Sequence, residues 1–396
     1  MKVESKWLVP ATIALVAGTI LTIAPAMAQS CVVKLGTVGP MTGGGASWGL
    51  SEKAGVEFEA AYVNAHGGLP MGGKKCKVSV VPYDSQSTPT GGAAAANFFA
   101  SQKVFAVNGP IVGPEVTGWN PVATRNGIVS FVTTFAQDAL SPKFPLTFHK
   151  IQGPPVWGKI VIKAAHDRFK FKSAVLIGPN DQGGTDTIEP LKPMYNAVGV
   201  KTRTIYYQRG TTDFSAIATR IMTMNVDLVD FTGGPPGDMA ILARQLLQAG
   251  YTGTFGRLGA GGDVIIQNAG GISAFKSFFW FDHVPTQSPQ IKKFNADFVK
   301  LMKEPVPANA LVYNSEIAAE NLLRAISAAG TDQDGQKIAA ALRKLEPESR
   351  YLGKAPWRGQ AQFGINQEMS FPVGVSYIQN GKLAGQDTLQ IPGEKP

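Results

Sequence analysis

The chain has 396 residues, 44% of them hydrophobic and 16% charged, too apolar for a disordered protein and long enough for two domains. Its 45 glycines and 27 prolines stay short of low-complexity levels, so short elements joined by tight turns are expected. Two cysteines exclude a disulfide-built scaffold and a four-cysteine zinc site, and His66, His149, His166 and His283 are scattered with no pair at ligand spacing, so neither a metal nor another cofactor is expected.

Residues 1–28 read as an address. Lys2 and Lys6 make a positive start, residues 8–24 are apolar and uncharged, and Ala26-Met27-Ala28 is a small-x-small cleavage site. An uncleaved anchor is the competing reading, but the apolar run falls short of the ~20 residues a spanning helix needs. A lipoprotein reading through Cys31 meets Gln29 where a small residue is wanted. The mature chain is expected to be soluble and periplasmic. Without Lys2, Lys6 and Glu4 it carries 35 basic and 27 acidic residues, a net +8. No basic run appears, and export removes the nucleic acid that basic proteins commonly bind.

From residue 32 the pattern repeats: a short β-branched run, a glycine-rich turn, then an amphipathic stretch. Residues 32–38 read as strand, 41–45 as loop, 51–64 as helix, 78–83 as strand and 91–102 as an alanine-rich helix. Short apolar runs follow at 104–108, 128–132 and 174–177. Asp213 fits a helix N-cap, with Phe214, Ile217 and Ile221 on one face, before a strand at 226–232 and a helix at 239–249. Such alternation specifies an α/β fold with doubly wound parallel sheets, whose ligands sit beyond the carboxyl ends of the strands. The loops at 39–49, 109–114, 133–138, 178–184, 232–237 and 256–263 occupy that position. Cys31 precedes the first strand and Cys76 the second; neighbouring parallel strands bring them to one end, which points to a disulfide, two free buried thiols being the other reading.

Two motifs look like chemistry. Gly45-Ala46-Ser47-Trp48-Gly49 fits the nucleophile elbow G-x-S-x-G, with Asp263, Asp282 and His283 available for a triad. The elbow needs a turn straight off a strand and several strands before it, and here a loop intervenes after one strand. Gly68-Leu69-Pro70-Met71-Gly72-Gly73-Lys74-Lys75 is similar to a phosphate loop, but Lys75 replaces the Ser or Thr and a strand follows instead of preceding it.

Other segments resemble a known family. Val33-Lys34-Leu35-Gly36 followed by Gly39-Pro40-Met41-Thr42-Gly43 is similar to the opening of the branched-chain amino-acid-binding proteins, periplasmic solute receptors of ABC importers. Asn64-Ala65-His66-Gly67-Gly68-Leu69, Tyr83-Asp84-Ser85-Gln86, Asn180-Asp181 and Asp213-Phe214-Ser215 match further family segments in order, over about 32–390. The resemblance implies two doubly wound lobes joined by a three-crossover hinge and closing on a small solute, with membrane permease subunits as partners. The first lobe is expected to hold 31–151 and 284–350, the second 152–283 and 351–396.

The resemblance also implies a site. Trp48 falls where the family sets an aromatic residue against the ligand, or packs as a helix-start tryptophan. In the loop Ile111-Val112-Gly113, Gly113 replaces a serine, so backbone alone would serve a carboxylate. In Thr134-Phe135-Ala136, Ala136 takes a threonine's place, with Thr133 and Thr134 as substitutes and Phe135 as an apolar plate or core residue. Gly183 and Gly234 stand near family aromatics, which implies a larger cavity. Gly259 stands where amino-acid binders carry a glutamate for the ammonium; Asp263 or Asp181 is its possible replacement, Asp263 otherwise capping a helix. Arg257 pairs with a ligand carboxylate or lies exposed on the surface.

Burying an ammonium without a carboxylate partner costs several kcal/mol, comparable with the ~8 kcal/mol of a micromolar complex. The expected ligand is therefore a small carboxylate or other non-amino solute, with an aromatic ring between Trp48 and Phe135 as the favoured form. A branched-chain amino acid, or an amide or urea, is the alternative, and a Ser47 hydrolase the distant one.

Overall fold

The computed structural model describes residues 1–7 and 31–393. It divides into Met1–Ser30 and Cys31–Pro396. Of the first unit, residues 1–7 are exposed and without helix or strand, and the rest of the expected export signal lies outside the described residues.

In the second unit the chain runs through β1 (Val32–Gly39), α1 (Ala46–Ala65), β2 (Leu69–Met71), β3 (Lys74–Asp84), α2 (Pro89–Ser101), β4 (Ala106–Asn108), α3 (Gly113–Arg125), β5 (Val129–Val132) and β6 (Thr147–His149). It crosses into α4 (Pro154–Phe169), β7 (Ser173–Pro179), α5 (Gln182–Ala197), β8 (Lys201–Tyr207), α6 (Ser215–Met224), β9 (Leu228–Asp230), α7 (Pro236–Gln248), β10 (Thr254–Arg257), α8 (Gly262–Ala269) and β11 (Ser277–Asp282). It returns through α9 (Pro289–Met302), α10 (Leu311–Ala329), α11 (Gly335–Lys344), β12 (Glu348–Ser349), β13 (Gly353–Lys354), β14 (Trp357–Arg358), α12 (Gln360–Phe363) and β15 (Glu368–Met369), and ends with β16 (Val373–Gln379) and β17 (Lys382–Leu389).

Two large sheets result, ordered β14-β15-β6-β5-β4-β1-β3-β2 and β17-β16-β11-β10-β9-β7-β8. Their central strands are parallel, while β2, β14, β16 and β17 pair antiparallel at the edges. This is the two-lobe doubly wound α/β architecture expected. Every side chain of β5 and β9 is buried because helices cover both faces.

The sequence sets many element starts. Thr88 caps α2 by accepting from Gly91 N, with Pro89 in the first turn where its missing N–H costs nothing. Asp181 caps α5, accepting from Gly184 N at 3.2 Å. Asp213 differs from expectation: α6 begins at Ser215 with Phe214 at the cap, and Asp213 accepts instead from the first helical amide, Ser215 N, at 2.9 Å. Residue 32 pairs with Lys77 across β1 and β3, and the cysteines just ahead of that register are joined, Cys31 to Cys76, with Cα atoms 4.5 Å apart.

One expected boundary moves. Residues 351–369 were assigned to the second lobe, but β14 and β15 extend the first sheet. Glu368 pairs in register with His149 of β6, its carboxylate meets His149 Nδ1 at 2.9 Å in a buried pair, and Trp357 stacks on Phe131. The third crossover therefore falls at 370–372. It is fastened to the first, since Gln152 Nε2 donates to Phe371 O at 3.2 Å.

Lys150, at the first crossover, is fully buried. Its ammonium donates to Glu52 Oε2 of α1 at 2.7 Å, to Asn108 Oδ1 of β4 and to Ser315 Oγ of α10. A buried charge needs such satisfaction, and the cluster holds the first crossover rigidly to the first lobe, one residue before the cleft-lining Ile151.

Candidate ligand-binding cleft

The carboxyl ends of both sheets face a cavity between the lobes. From the first lobe come Trp48, Val112, Gly113, Thr133, Thr134 and Phe135; from the second, Gly183, Arg257 and Gly259. These nine sites expected from the sequence therefore meet in one place. Ala136, Asp181 and Gly234 do not line it. Ala136 N is turned to Thr134 Oγ1 at 3.1 Å, a Cβ on Gly234 would point at Met239, and Asp181 stands behind Arg209.

The first-lobe wall is built by loops held from below. Glu115, in the first turn of α3, accepts from Ile111 N at 3.0 Å and from Ser85 Oγ at 2.7 Å, and burial pushes its carboxyl up to about 8. The Ile111 amide is thus consumed by the fold. Thr134 Oγ1 accepts from Ala136 N and keeps its O–H to donate, whereas the buried Thr133 Oγ1 has no protein partner among the described residues. Thr133 is the fully unpartnered hydroxyl on this wall. Trp48 is buried and its indole donates across the cleft to Ala260 O at 3.3 Å. Phe135 stands edge-on to Trp157, with ring centres 5.7 Å apart.

The second-lobe wall carries charge. Arg257 is 1% exposed, which corrects the surface alternative. Its guanidinium donates to Gly259 O at 3.1 Å, Gly234 O at 2.7 Å, Ala260 O at 2.9 Å and Phe231 O. That uses four of five N–H donors, and no carboxylate pairs with it among the described residues. Burial lowers it to about 10, so it stays charged at neutral pH.

Arg209 is a cavity residue the sequence did not reveal. It follows β8, and Asp181 grips it at Nε (2.6 Å) and Nη2 (3.0 Å), leaving Nη1 buried and unpartnered. A Cβ on Gly183 would stand 3.2 Å from Arg209 Nη2, so the guanidinium lies across the bare glycine. This corrects the expected enlargement: the space left by small residues is filled by Arg209. Measured at the centres of water-sized spheres, the cavity holds about 60 Å³. At roughly 10–15 Å³ per water, that is room for about four to six waters, the bulk of a single-ring acid or a small amino acid.

Ile111, Ile151, Thr187, Gly233, Ala260, His283 and Leu311 complete the described lining. Burial, aided by His149, lowers His283 to about 3, so it is neutral, and its Nδ1 is unpartnered. None of the described lining residues is acidic. Asp263 lies outside the cavity in the first turn of α8, beyond the capping Gly261, with burial pushing it up to about 6. Ser47 also lies outside; its Oγ accepts from Asn309 Nδ2 at 3.3 Å, and a 3-10 turn at Gly43–Gly45 separates β1 from α1.

The lobes are closed on each other. Thr117 Oγ1 donates to Gln182 Oε1 at 2.7 Å and Gln182 Nε2 to Asp138 Oδ1 at 3.1 Å, linking α3 and the 133–138 loop to α5. Each such bond contributes about 0.5–1.5 kcal/mol net. Gln182→Ala is therefore expected to weaken solute affinity about fivefold by depopulating the closed state, with the unliganded melting midpoint nearly unchanged; titration calorimetry and a melt of the free protein check both.

Two lobes closing over a buried cavity at the strand ends define a solute-binding protein. The sequence matches the periplasmic binding protein family model over residues 32–372, and the chain belongs to that family. It is 26% identical to the Leu/Ile/Val-binding protein BraC3 of Rhizobium johnstonii, covering 82% of this chain and 87% of that one. It is 25% identical to a leucine-, isoleucine-, valine-, threonine- and alanine-binding protein of Pseudomonas aeruginosa, over 78% and 82%. The fold is shared with the leucine-binding protein LivK of Thermotoga maritima (TM-score 0.75, 21% identity, 90% and 99% covered). It is shared equally with an ABC-transporter solute-binding protein of R. palustris in complex with benzoate (TM-score 0.74, 19% identity, 92% and 98% covered).

Proposed function

We propose that this protein is the periplasmic receptor of an ABC importer for a small organic carboxylate without an amino group, a single-ring aromatic acid being the favoured form. One observation carries the reading: the cavity presents Arg257 and Arg209 and no acidic side chain. The Arg257 guanidinium, buried without a carboxylate partner, is completed by an anionic ligand, while an α-ammonium would add a second unpaired positive charge, Arg209 being paired with Asp181. Trp48 and Phe135 supply apolar faces, and Thr133 Oγ1 and the Arg209 Nη1 supply unused polar contacts. The closed pair of lobes would then be what the membrane permease recognises, the solute supplying the differential contacts that favour closure.

The benzoate complex of the R. palustris protein is in keeping with this ligand class. Branched-chain amino acids are the second reading, favoured by the names of the relatives from R. johnstonii and P. aeruginosa. Thermal unfolding of the mature chain with benzoate, 4-hydroxybenzoate, leucine, valine and urea separates them. A ligand at a hundredfold its Kd adds about 2.7 kcal/mol, a rise of about 3 °C for a chain of this size. The expected result is a shift with the aromatic acids and none with leucine. A shift with leucine alone overturns the proposal.

A further inference from the structure

A second, larger space lies outside the cavity. It is lined by Thr42–Gly45 and Gln86–Pro89 from the first lobe and by the 208–210 turn, Pro235 and Asp238 from the second. Measured in the same way it holds about 520 Å³, against about 60 Å³ inside. Among the described residues, Arg209 alone lines both spaces.

We propose that the Arg209 side chain, clamped by Asp181, is the partition between these two spaces and sets the maximum length of the ligand. The inference rests on the carboxylate reading for its choice of ligands. Three features support it. The guanidinium is fixed by two bonds to a carboxylate that is itself held at the start of α5 by Gly184 N, so the wall is preorganised. The pair spans the bare backbone of Gly183, where a Cβ would come within 3.2 Å of Arg209 Nη2 and 3.3 Å of Asp181 Oδ1. Gly43 and Gly210, where a Cβ would meet nothing within 4 Å, border the outer space behind it. A benzoate-sized acid is enclosed by the inner cavity; an acid with two further carbons between ring and carboxylate runs into the guanidinium.

The test is a selectivity ratio, which cancels any loss of charge because both ligands are carboxylates. Affinities for benzoate and 4-hydroxycinnamate are measured by calorimetry for the wild type, Arg209→Ala, Arg209→Met and Asp181→Asn, with melting curves to establish folding. The wild type is expected to favour benzoate by about tenfold or more, the discrimination a shaped apolar pocket achieves. Arg209→Ala is expected to shift the ratio at least about tenfold toward the longer acid. Arg209→Met, which keeps the apolar stem but loses the guanidinium and its clamp to Asp181, is expected, like Asp181→Asn, to shift it part of the way. A wild-type ratio near one, or the same ratio in wild type and Arg209→Ala, overturns the proposal. Should the wild type bind leucine and neither aromatic acid, the carboxylate reading falls, and the same four proteins compared on leucine against phenylalanine still decide whether Arg209 limits length.

Discussion

Arg257→Met is expected to lower the unfolding free energy by about 3 kcal/mol and to weaken solute binding at least about thirtyfold. The stability term follows from the four carbonyls that the guanidinium serves, on Phe231, Gly234, Gly259 and Ala260. These belong to the loops after β9 and β10, so one side chain at the end of β10 clips two cleft loops together. Losing the donor leaves three inward-facing acceptors, on Phe231, Gly234 and Gly259, at about 1 kcal/mol each, the low end of the range because water can enter from the cavity, while Ala260 O keeps the Trp48 indole. The binding term is separate: truncating one partner of a buried charge pair costs about 2–5 kcal/mol, at least a thirtyfold loss. Arg257→Lys rescues neither, since a lysine has three donors on a single nitrogen and cannot reach four divergent carbonyls. Urea midpoints and calorimetric titration read the two terms independently. Retained affinity in Arg257→Lys would show that the charge alone, without the clip, suffices.

The double replacement of Cys31 and Cys76 by alanine is expected to cost about 4 kcal/mol, the chain-entropy value for the 45-residue separation they close. The bridge ties the residue before β1 to β3 across α1 and β2, so its loss releases the start of the β1–β3 pair toward one edge of the first sheet. Lys77 N still donates to Cys31 O at 2.9 Å, a contact the replacement leaves in place. Native fold and solute selectivity should therefore survive. The denaturant midpoint should fall, and ligand affinity at low denaturant should stay within about twofold, since the bridge lies at the amino ends of the strands and the cleft at their carboxyl ends. An unchanged midpoint would mean that the β1–β3 ladder alone fixes the start of the chain.

The first lobe was more legible in the sequence than the second. β1 has β-branched residues and a glycine turn at its end, which locates the strand, and the family resemblance then carried Trp48 and the 111–113 and 134–136 loops onto that wall residue by residue. Arg209 escaped because its strand, Lys-Thr-Arg-Thr-Ile-Tyr-Tyr, lies at a sheet edge and alternates half-buried and exposed positions until its last residues, giving little apolar signal. Without that strand, Arg209 had no claim to a carboxyl-end loop. Arg257 was placed at the right strand end, but four backbone carbonyls converging on it leave no trace in side-chain identities. The third crossover was misplaced for a related reason: β14 and β15 are two residues each, too short for any periodicity to register. Reading small residues as empty space failed at Gly183 because vacancy in a sequence is filled by whatever long side chain the fold brings alongside.

The fastening of the first crossover to the third, through His149 with Glu368 and Gln152 with Phe371, bears on how an occupant is reported. Ile151 follows Lys150, which is fixed to the first lobe, so it belongs to a floor that turns with that wall alone. A molecule touching only this floor gains the same energy whether the jaws are apart or shut, and equal affinity for two states shifts nothing, however tight. Only bonds reaching the far wall, above all Arg257, distinguish the two. A compound that fills the floor and misses that arginine would occupy the protein silently, blocking uptake without being mistaken for cargo.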